Sequence, residues 1–384
     1  MINNKTEIRN TMVDLVCRNI EFNDGHKVTV DLNQPVARYP HNPIITANDV
    51  NKKWANPAHQ VTTVHNAGIS SYNGETIMLF RSHLRCGMSV IGMAKSRDGV
   101  SDWEISNGPI LKPATRNDYF NNGVDLDVLI ENEAGGLEDP RITKFGDEYA
   151  ITYSAYHAMV EDRVRVSLIT TRDFESFKRF GPVLNCDMRN VVLFPEKINN
   201  KYTALFRPNE ISPDETGGKY TQISIGFNED WKNNDWQLHE NPIMQTGHGP
   251  SAFSNKVGPC APPIKTEKGW LNIFHGVRTT MDGNPYVLGV ALHDLEDPTK
   301  VKMSSIPILF PSQSDCKLGS HDYIHVPNVV FCCGALGKND GSILIYYGGN
   351  DTVMNVGVTH RDVLIALSNK YPQDALTGNL LYDI

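Results

Sequence analysis

Residues Asn66 to Arg81 read NAGISSYNGETIMLFR, two runs of small and apolar residues joined by Asn-Gly and ending on Leu-Phe-Arg. Asn-Gly between two strand-like runs is a strong hairpin signal, because both residues tolerate the positive φ that a tight β-turn requires. The pattern recurs as EDPRITKFGDEYAITYSAY from Glu138, NVVLFPEKINNKYTALFR from Asn190, KVGPCAPPIKTEKGWLNIFHG from Lys256 and NVVFCCGALGKNDGSILIYYGG from Asn328. A third apolar run follows each: SVIGMAKSRDG, VRVSLITTRDF, YTQISIGFNEDW, PYVLGVALHDLEDP and MNVGVTHRDV, closing at Asp98, Asp173, Asp230, Asp294 and Asp362. The aromatic residues Phe80, Tyr153, Phe206, Phe274 and Tyr346 anchor the second runs at spacings of 73, 53, 68 and 72 residues. A strand unit repeated at this period indicates a propeller or a solenoid rather than a two-sheet sandwich. The expectation is an all-β chain: a five-bladed β-propeller over residues 43–384 with a short N-terminal extension, residues 1–42. A sandwich with fortuitous hairpins is the alternative. Helical periodicity shows only near Thr11 to Asn19, where a short helix is expected.

Composition narrows the partners. The 36 basic residues against 44 acidic ones leave a net charge of -8, which argues against coating nucleic acid or an anionic membrane surface. The first twenty residues are too polar for a secretory signal, so a cytoplasmic location is expected. The longest uncharged apolar stretch, around Val329 to Leu336, falls far short of the roughly 20 residues that a membrane helix needs. Seven cysteines without CxxC spacing read as reduced core residues, so neither a metal nor an organic cofactor is expected.

In a propeller the first strand of each blade lines the central channel, so polar residues at the strand entries meet in one cavity. The entries here are Asn66, Glu138 with Asp139, Arg189 with Asn190, Lys256, and His325 with Asn328, while Arg81, His275 and Asp351 end second strands. Any one of them can equally be a turn former. The segment GLEDPR, Gly136 to Arg141, sets a carboxylate before a proline, which suits a general acid and also suits an Asx-type turn. Inverting glycoside hydrolysis needs an acid and a base; phosphorolysis needs only the acid, with cations to hold the anionic nucleophile. Arg85, Arg189 and Lys256 near three entries are candidates for that cluster, and each can also be a solvated surface cation.

On VHNAG at Val64, LFRSHLRCGMSVIGMAKSRDG at Leu79, GLEDPRITK at Gly136, RNVVLFPEKINNKY at Arg189, KVGPCAPPIKTEKGWLNIFHGV at Lys256, YVLGVALHDLEDP at Tyr286, VPNVVF and IYYGGNDT, the chain resembles glycoside hydrolase family 130. These are the β-mannoside phosphorylases and related β-mannosidases. The resemblance implies a five-bladed fold and inverting phosphorolysis of a β-mannoside to α-mannose 1-phosphate and a shortened acceptor. Asp139 would be the proton donor, relaying its proton through a hydroxyl of the bound mannose. Asn66, Arg81, Glu138 and Asp351 would bind the saccharide. Arg85, Arg189, Asn190, Lys256, His275 and Tyr286 would bind inorganic phosphate, the co-substrate. SHLRCG departs from the arginine-rich turn of the family's phosphorylases, which leaves the alignment of Arg85 open.

Two enzymatic rivals and one non-enzymatic rival stand beside this reading. A β-mannosidase on the same fold would need a second carboxylate, with Glu133, Glu138 and Asp322 as candidates. An arabinan- or fructan-cleaving five-bladed hydrolase would need three acids. A sugar-binding propeller would need none. Acceptor choice is expected to lie in the loops Asn117 to Gly135 and Ser312 to His325, and homo-oligomers are common in the family.

Overall fold

The computed structural model describes residues 16–118, 124–159, 163–208, 221–247, 251–281, 283–319 and 322–384. Its strands form five antiparallel meanders of four strands. The first runs through His65–Tyr72, Glu75–His83, Ser89–Ser96 and Glu104–Ile105. The second runs through Gly136–Phe145, Glu148–Tyr156, Val164–Thr171 and Lys178–Pro182. The third uses Met188–Leu193, Tyr202–Pro208, Gln222–Asn228 and Gln237–Leu238. The fourth uses Lys256–Pro259, Gly269–Val277, Tyr286–His293 and Val301–Ser304. The fifth takes Val330–Gly337, Ser342–Gly349 and Val353–His360 from the C-terminal part, and its fourth strand is Ala37–Arg38 from the N-terminal part.

Each meander packs against the next, and the strands of the fifth pack against His65–Tyr72 of the first, so the succession of contacts returns to its start. Arg38 fastens that return: its guanidinium forms two bonds to the buried carboxylate of Asp315, at 2.7 and 2.9 Å, and Tyr347 donates to the same carboxylate at 2.7 Å. The sequence outside the meanders is largely loop, with helices at Ala47–Lys53, Leu126–Asn132 and Arg361–Lys370. No helix among the described residues is long and apolar enough to cross a membrane. The helix expected over Thr11 to Asn19 falls mostly outside the described residues, and its last two residues, Arg18 and Asn19, lie instead in a strand, Arg18–Glu21, paired with Lys27–Val30.

The five aromatic anchors are all buried, at 1% exposure or less. In the first and fourth meanders the anchor lies over a glycine of the neighbouring strand: Phe80 is paired with Gly92 and Phe274 with Gly289. A bare α-carbon lets the ring lie flat on the sheet, which is how an aromatic covers the gap a glycine leaves. Four of the five aspartates that close the third strands form turns by accepting the amide two residues on: Asp98 from Val100, Asp173 from Glu175, Asp230 from Lys232 and Asp294 from Glu296. The fifth, Asp362, sits in the first turn of the C-terminal helix and is held by Arg18 at 2.7 Å.

The inner strands share a less obvious feature. The pairing register slips between His65 and Gly68, between Glu138 and Arg141, and between Arg189 and Val192. At each slip one residue adopts a left-handed backbone: Asn66 at φ 50°, Asp139 at 50° and Asn190 at 57°. Such bulges place two residues opposite one and turn a side chain out of the regular alternation. Asn and Asp bear this conformation better than other non-glycine residues.

The anchor geometry predicts the outcome of one substitution. A methyl on Gly92 would stand 2.3 Å from the Phe80 ring and 2.7 Å from Trp54, so Gly92→Ala is expected to destabilise by about 1–3 kcal/mol. Chemical denaturation of both proteins measures this, and an unchanged midpoint would mean the ring does not occupy that surface.

Candidate active site

The three left-handed residues bring polar side chains from separate meanders to one cavity. Asn66 donates its amide to a carboxylate oxygen of Asp139 at 3.0 Å, and Arg81 donates to the same oxygen at 3.1 Å. The other guanidinium nitrogen of Arg81 reaches Glu138 at 2.6 Å and His83 at 3.0 Å, and Ser89 donates to Glu138 at 3.0 Å. From below, the buried Arg141 ties three meanders together: it donates to the carbonyl of Asp139 at 2.8 Å, to the Asn190 side chain at 2.9 Å and to the Cys260 carbonyl at 2.8 Å. The Asp139 side chain keeps 15% of its surface open, so it is not sealed in the core.

Charge decides the state of this carboxyl. Burial alone would raise the pKa of Asp139, but Arg81, then Arg141, the Asn66 amide and His65 outweigh it and hold the group well below the usual carboxylate range. Burial likewise opposes the charge of Arg81, and Glu138, Asp139 and Asp351 keep it protonated. His83 is pushed down to about 2 by burial, by Arg81 and by the neighbouring His65 and His325, so it stays neutral and accepts from Arg81. Asp351, in a left-handed turn at φ 47°, brings its carboxylate to 3.4 Å from His65 on the same flank.

On the other flank lies a group of cations. Arg189 and Arg207 are direct partners across the first two strands of the third meander. Among the described residues neither has an acidic partner, and the buried Arg207 leaves its Nε without a hydrogen bond. Burial first, and then Arg189, push its pKa down to about 10. Lys256 enters from the fourth meander, with its ammonium 3.4 Å from the hydroxyl of Tyr286. His275, stacked on Tyr286, is driven well below its ordinary pKa by burial and then by Arg207 and Arg141, so it remains neutral between the cations and Asp139. Gly258 makes the close approach possible, since a methyl there would fall 2.4 Å from the His275 ring and 2.7 Å from Arg207. Like charges gathered out of water without counter-charge are costly unless an anion joins them.

Asn66, Arg81, Glu138, Asp139 and Asp351 thus gather on one side, and Arg189, Asn190, Lys256, His275 and Tyr286 on the other. Arg85 stands elsewhere: it is exposed, and its side chain lines a separate cavity with Asp322 and Tyr323. Of the alternative bases, Glu133 is fully buried against Arg179, Tyr153 and the Ala114 amide, and the exposed Asp322 caps the Gly319 amide at 2.7 Å. Only Glu138 lies in the cavity. Two residues escaped the sequence reading. Arg141 lay within the quoted GLEDPR motif without an assigned role, and Arg207 repeats the Leu-Phe-Arg ending of Arg81 in the third meander, TALFR beside TIMLFR. No group of His, Cys, Asp and Glu among the described residues is arranged to hold a metal ion.

Known proteins share this arrangement of chain. The family profile described as beta-1,4-mannooligosaccharide phosphorylase matches residues 29–369. The 1,2-beta-oligomannan phosphorylase of Thermoanaerobacter sp. (strain X514) is 36% identical over 297 residues, covering 74% of this chain and 86% of that protein. The beta-1,2-mannobiose phosphorylase of Listeria innocua serovar 6a is 31% identical over 377 residues, covering 83% of this chain and 94% of its own. The structure of beta-1,2-mannobiose phosphorylase from Listeria innocua in its beta-1,2-mannobiose complex superposes with a TM-score of 0.70 at 28% identity, over 87% of this chain and 99% of that one.

An unneutralised cation cluster predicts anion-dependent stability. Inorganic phosphate at 100 times its Kd is expected to stabilise the folded chain by about 2.7 kcal/mol, and Arg207→Ala to remove most of that gain. Thermal unfolding with and without phosphate measures it; equal gains in both proteins would place the anion elsewhere.

Proposed function

The chain belongs to glycoside hydrolase family 130, and on that premise we propose that it is an inverting β-mannoside phosphorylase, its five meanders the blades of a five-bladed β-propeller. The closed succession of packing contacts supports the blade count. In this reading residues 43–384 form the catalytic domain, and the preceding extension lends it the strand Ala37–Arg38. Seven free thiols suit a reducing, cytoplasmic setting.

The observation that carries the reading is one partly open carboxyl, Asp139, flanked by saccharide-type polar groups on one side and by unpaired cations on the other. Asn66, Arg81, Glu138 and Asp351 hold the mannosyl unit. Arg189, Arg207 and Lys256, with Asn190, His275 and Tyr286, hold inorganic phosphate and aim one of its oxygens at the anomeric carbon. That oxygen forms the new bond as the glycosidic bond breaks on the opposite face, so the configuration inverts. Asp139 supplies the proton that the departing oxygen needs, directly or through a mannose hydroxyl, and the products are α-mannose 1-phosphate and the shortened acceptor. A proton donor must first bind a proton, and the two guanidiniums oppose this in the empty cavity. A phosphate dianion bound beside Arg207 adds negative charge near Arg141, one of the two guanidiniums that hold Asp139 ionised, and so raises the affinity of Asp139 for a proton; filling the nucleophile site prepares the acid. No base is required, since phosphate arrives already anionic.

Hydrolysis on the same fold would need a second carboxylate free to activate water. Of the three bases considered, Glu133, Glu138 and Asp322, Glu138 alone stands beside Asp139, and it is committed to Arg81 and Ser89. The named activities of the Thermoanaerobacter and Listeria relatives make β-1,2-linked mannosides the first substrates to try.

Incubation with β-1,2- and β-1,4-mannobiose, with and without phosphate, tests the proposal: mannose 1-phosphate is expected to appear only with phosphate. Asp139→Asn is expected to lower kcat by about 10²–10⁴-fold while the saccharide still binds. Release of free mannose at the same rate without phosphate would overturn the reading.

A further inference from the structure

His275 is neutral, so its imidazole carries one N–H and one bare nitrogen, and only one side of the ring can donate. On the Nδ1 side stands the thiol of Cys260, its sulfur 3.7 Å away. The Nε2 side has no hydrogen-bond partner among the described residues. It lies over Gly258 beside the stem of Arg207, for a methyl on Gly258 would stand 2.9 Å from Nε2 and 2.7 Å from the Arg207 Cδ. Left to the field of Arg207, the ring would turn a bare Nε2 toward the guanidinium, and an anion arriving there would meet a lone pair.

Cys260 is built to prevent this. It is fully buried, its amide bonds the carbonyl of Ile273 at 3.0 Å, and its carbonyl accepts from Arg141 at 2.8 Å, so the side chain starts from a fixed backbone. Burial first, and then the neighbouring Cys332 thiol, push the Cys260 thiol well above its ordinary pKa, and it keeps its hydrogen. The backbone of Cys332 already hydrogen-bonds the sulfur, which leaves the thiol hydrogen to be given to Nδ1. An Nδ1 that accepts has no proton, so the proton of the ring sits on Nε2. His83 shows the opposite arrangement: its Nε2 accepts from Arg81 at 3.0 Å, so its proton is on Nδ1 and goes to the Thr63 hydroxyl at 2.9 Å. Both nitrogens of His83 are thereby used, whereas His275 keeps an uncommitted N–H among the described residues.

We propose that Cys260 is a positioning residue for phosphate: its thiol donates to Nδ1 of His275, fixes the imidazole proton on Nε2 and so turns an uncharged N–H donor toward the anion beside Arg207. The identity of the anion rests on the phosphorolytic reading; the tautomer does not. Cys260 acts through the ring and touches no substrate itself. A neutral donor adds a directed hydrogen bond to the anion without adding to the cationic field that opposes protonation of Asp139.

Nitrogen-15 NMR of ring-labelled histidine separates the two tautomers, because a protonated and a bare ring nitrogen resonate far apart, and comparison with His275→Gln assigns the signal. In the phosphate-free wild type the proton is expected on Nε2, and in Cys260→Ala it is expected to move in part to Nδ1. Calorimetry with inorganic phosphate is expected to show about tenfold weaker binding to Cys260→Ala, the effect of one hydrogen bond to a charged group, while the KM for the mannoside changes less than about twofold. Cys260→Ala combined with His275→Gln is expected to bind phosphate no more weakly than His275→Gln alone, whereas a packing effect of the sulfur would add to the loss. Should Cys260→Ala not fold, the tautomer in the wild type still decides. A wild-type proton on Nδ1, phosphate affinity unchanged in Cys260→Ala, or additive losses in the double variant would each overturn the proposal. A proton on Nε2 and thiol-dependent phosphate binding, with no phosphate-dependent turnover in any protein, would support the positioning and overturn the phosphorolytic reading alone.

Discussion

Three inner strands bend at the same place, and each bend is held by a residue with a left-handed backbone. Such positions cost on the order of 1–3 kcal/mol each and persist only where the surroundings compensate. Here the compensation is visible. Arg141 binds the carbonyl of Asp139 and the side chain of Asn190, and the Asn66 amide binds the Asp139 carboxylate. Without the bulges, Asn66, Asp139 and Asn190 would follow the regular alternation of their strands. With them, three meanders far apart in sequence present their polar ends to one another.

The charge layout follows from that convergence. Arg81 faces Glu138 and Asp139 and is neutralised by them; Arg189 and Arg207 face no carboxylate among the described residues. The same residue type at the end of the second strand therefore plays opposite parts in the first and third meanders. In the proposed reaction one guanidinium completes the saccharide-side network and the other meets the phosphate. His275 and His83 stay neutral beside these cations because burial and like charge both disfavour a further proton. They can bond substrate without adding positive charge.

Much of the fold was legible because strand repeats leave a periodic trace. The five aromatic anchors are buried where the spacing put them, and four of the five closing aspartates make the turns that their sequence suggests. The fourth strand of the last meander was not legible, since it comes from Ala37–Arg38, more than three hundred residues from its partners Val358 and Gly357. At the site, the polar entries were found, but the bulges that aim them have no signature beyond an Asn or Asp near a strand start. Arg207 could have been found by comparing the two Leu-Phe-Arg endings. Arg85 could not be placed from its neighbours, because it stands in the turn that follows the strand ending at His83, and only the fold decides which cavity a turn residue reaches.

The central claim is electrostatic: a carboxyl held ionised by two guanidiniums and made protonatable by the anion that attacks. Carbon-detected NMR titration of the Asp139 carboxyl, with and without saturating phosphate, measures it directly. The account predicts a pKa below that of an ordinary aspartate in the free chain and a clear upward shift when phosphate binds. An ordinary value in the free chain, or the same value in both states, would contradict it.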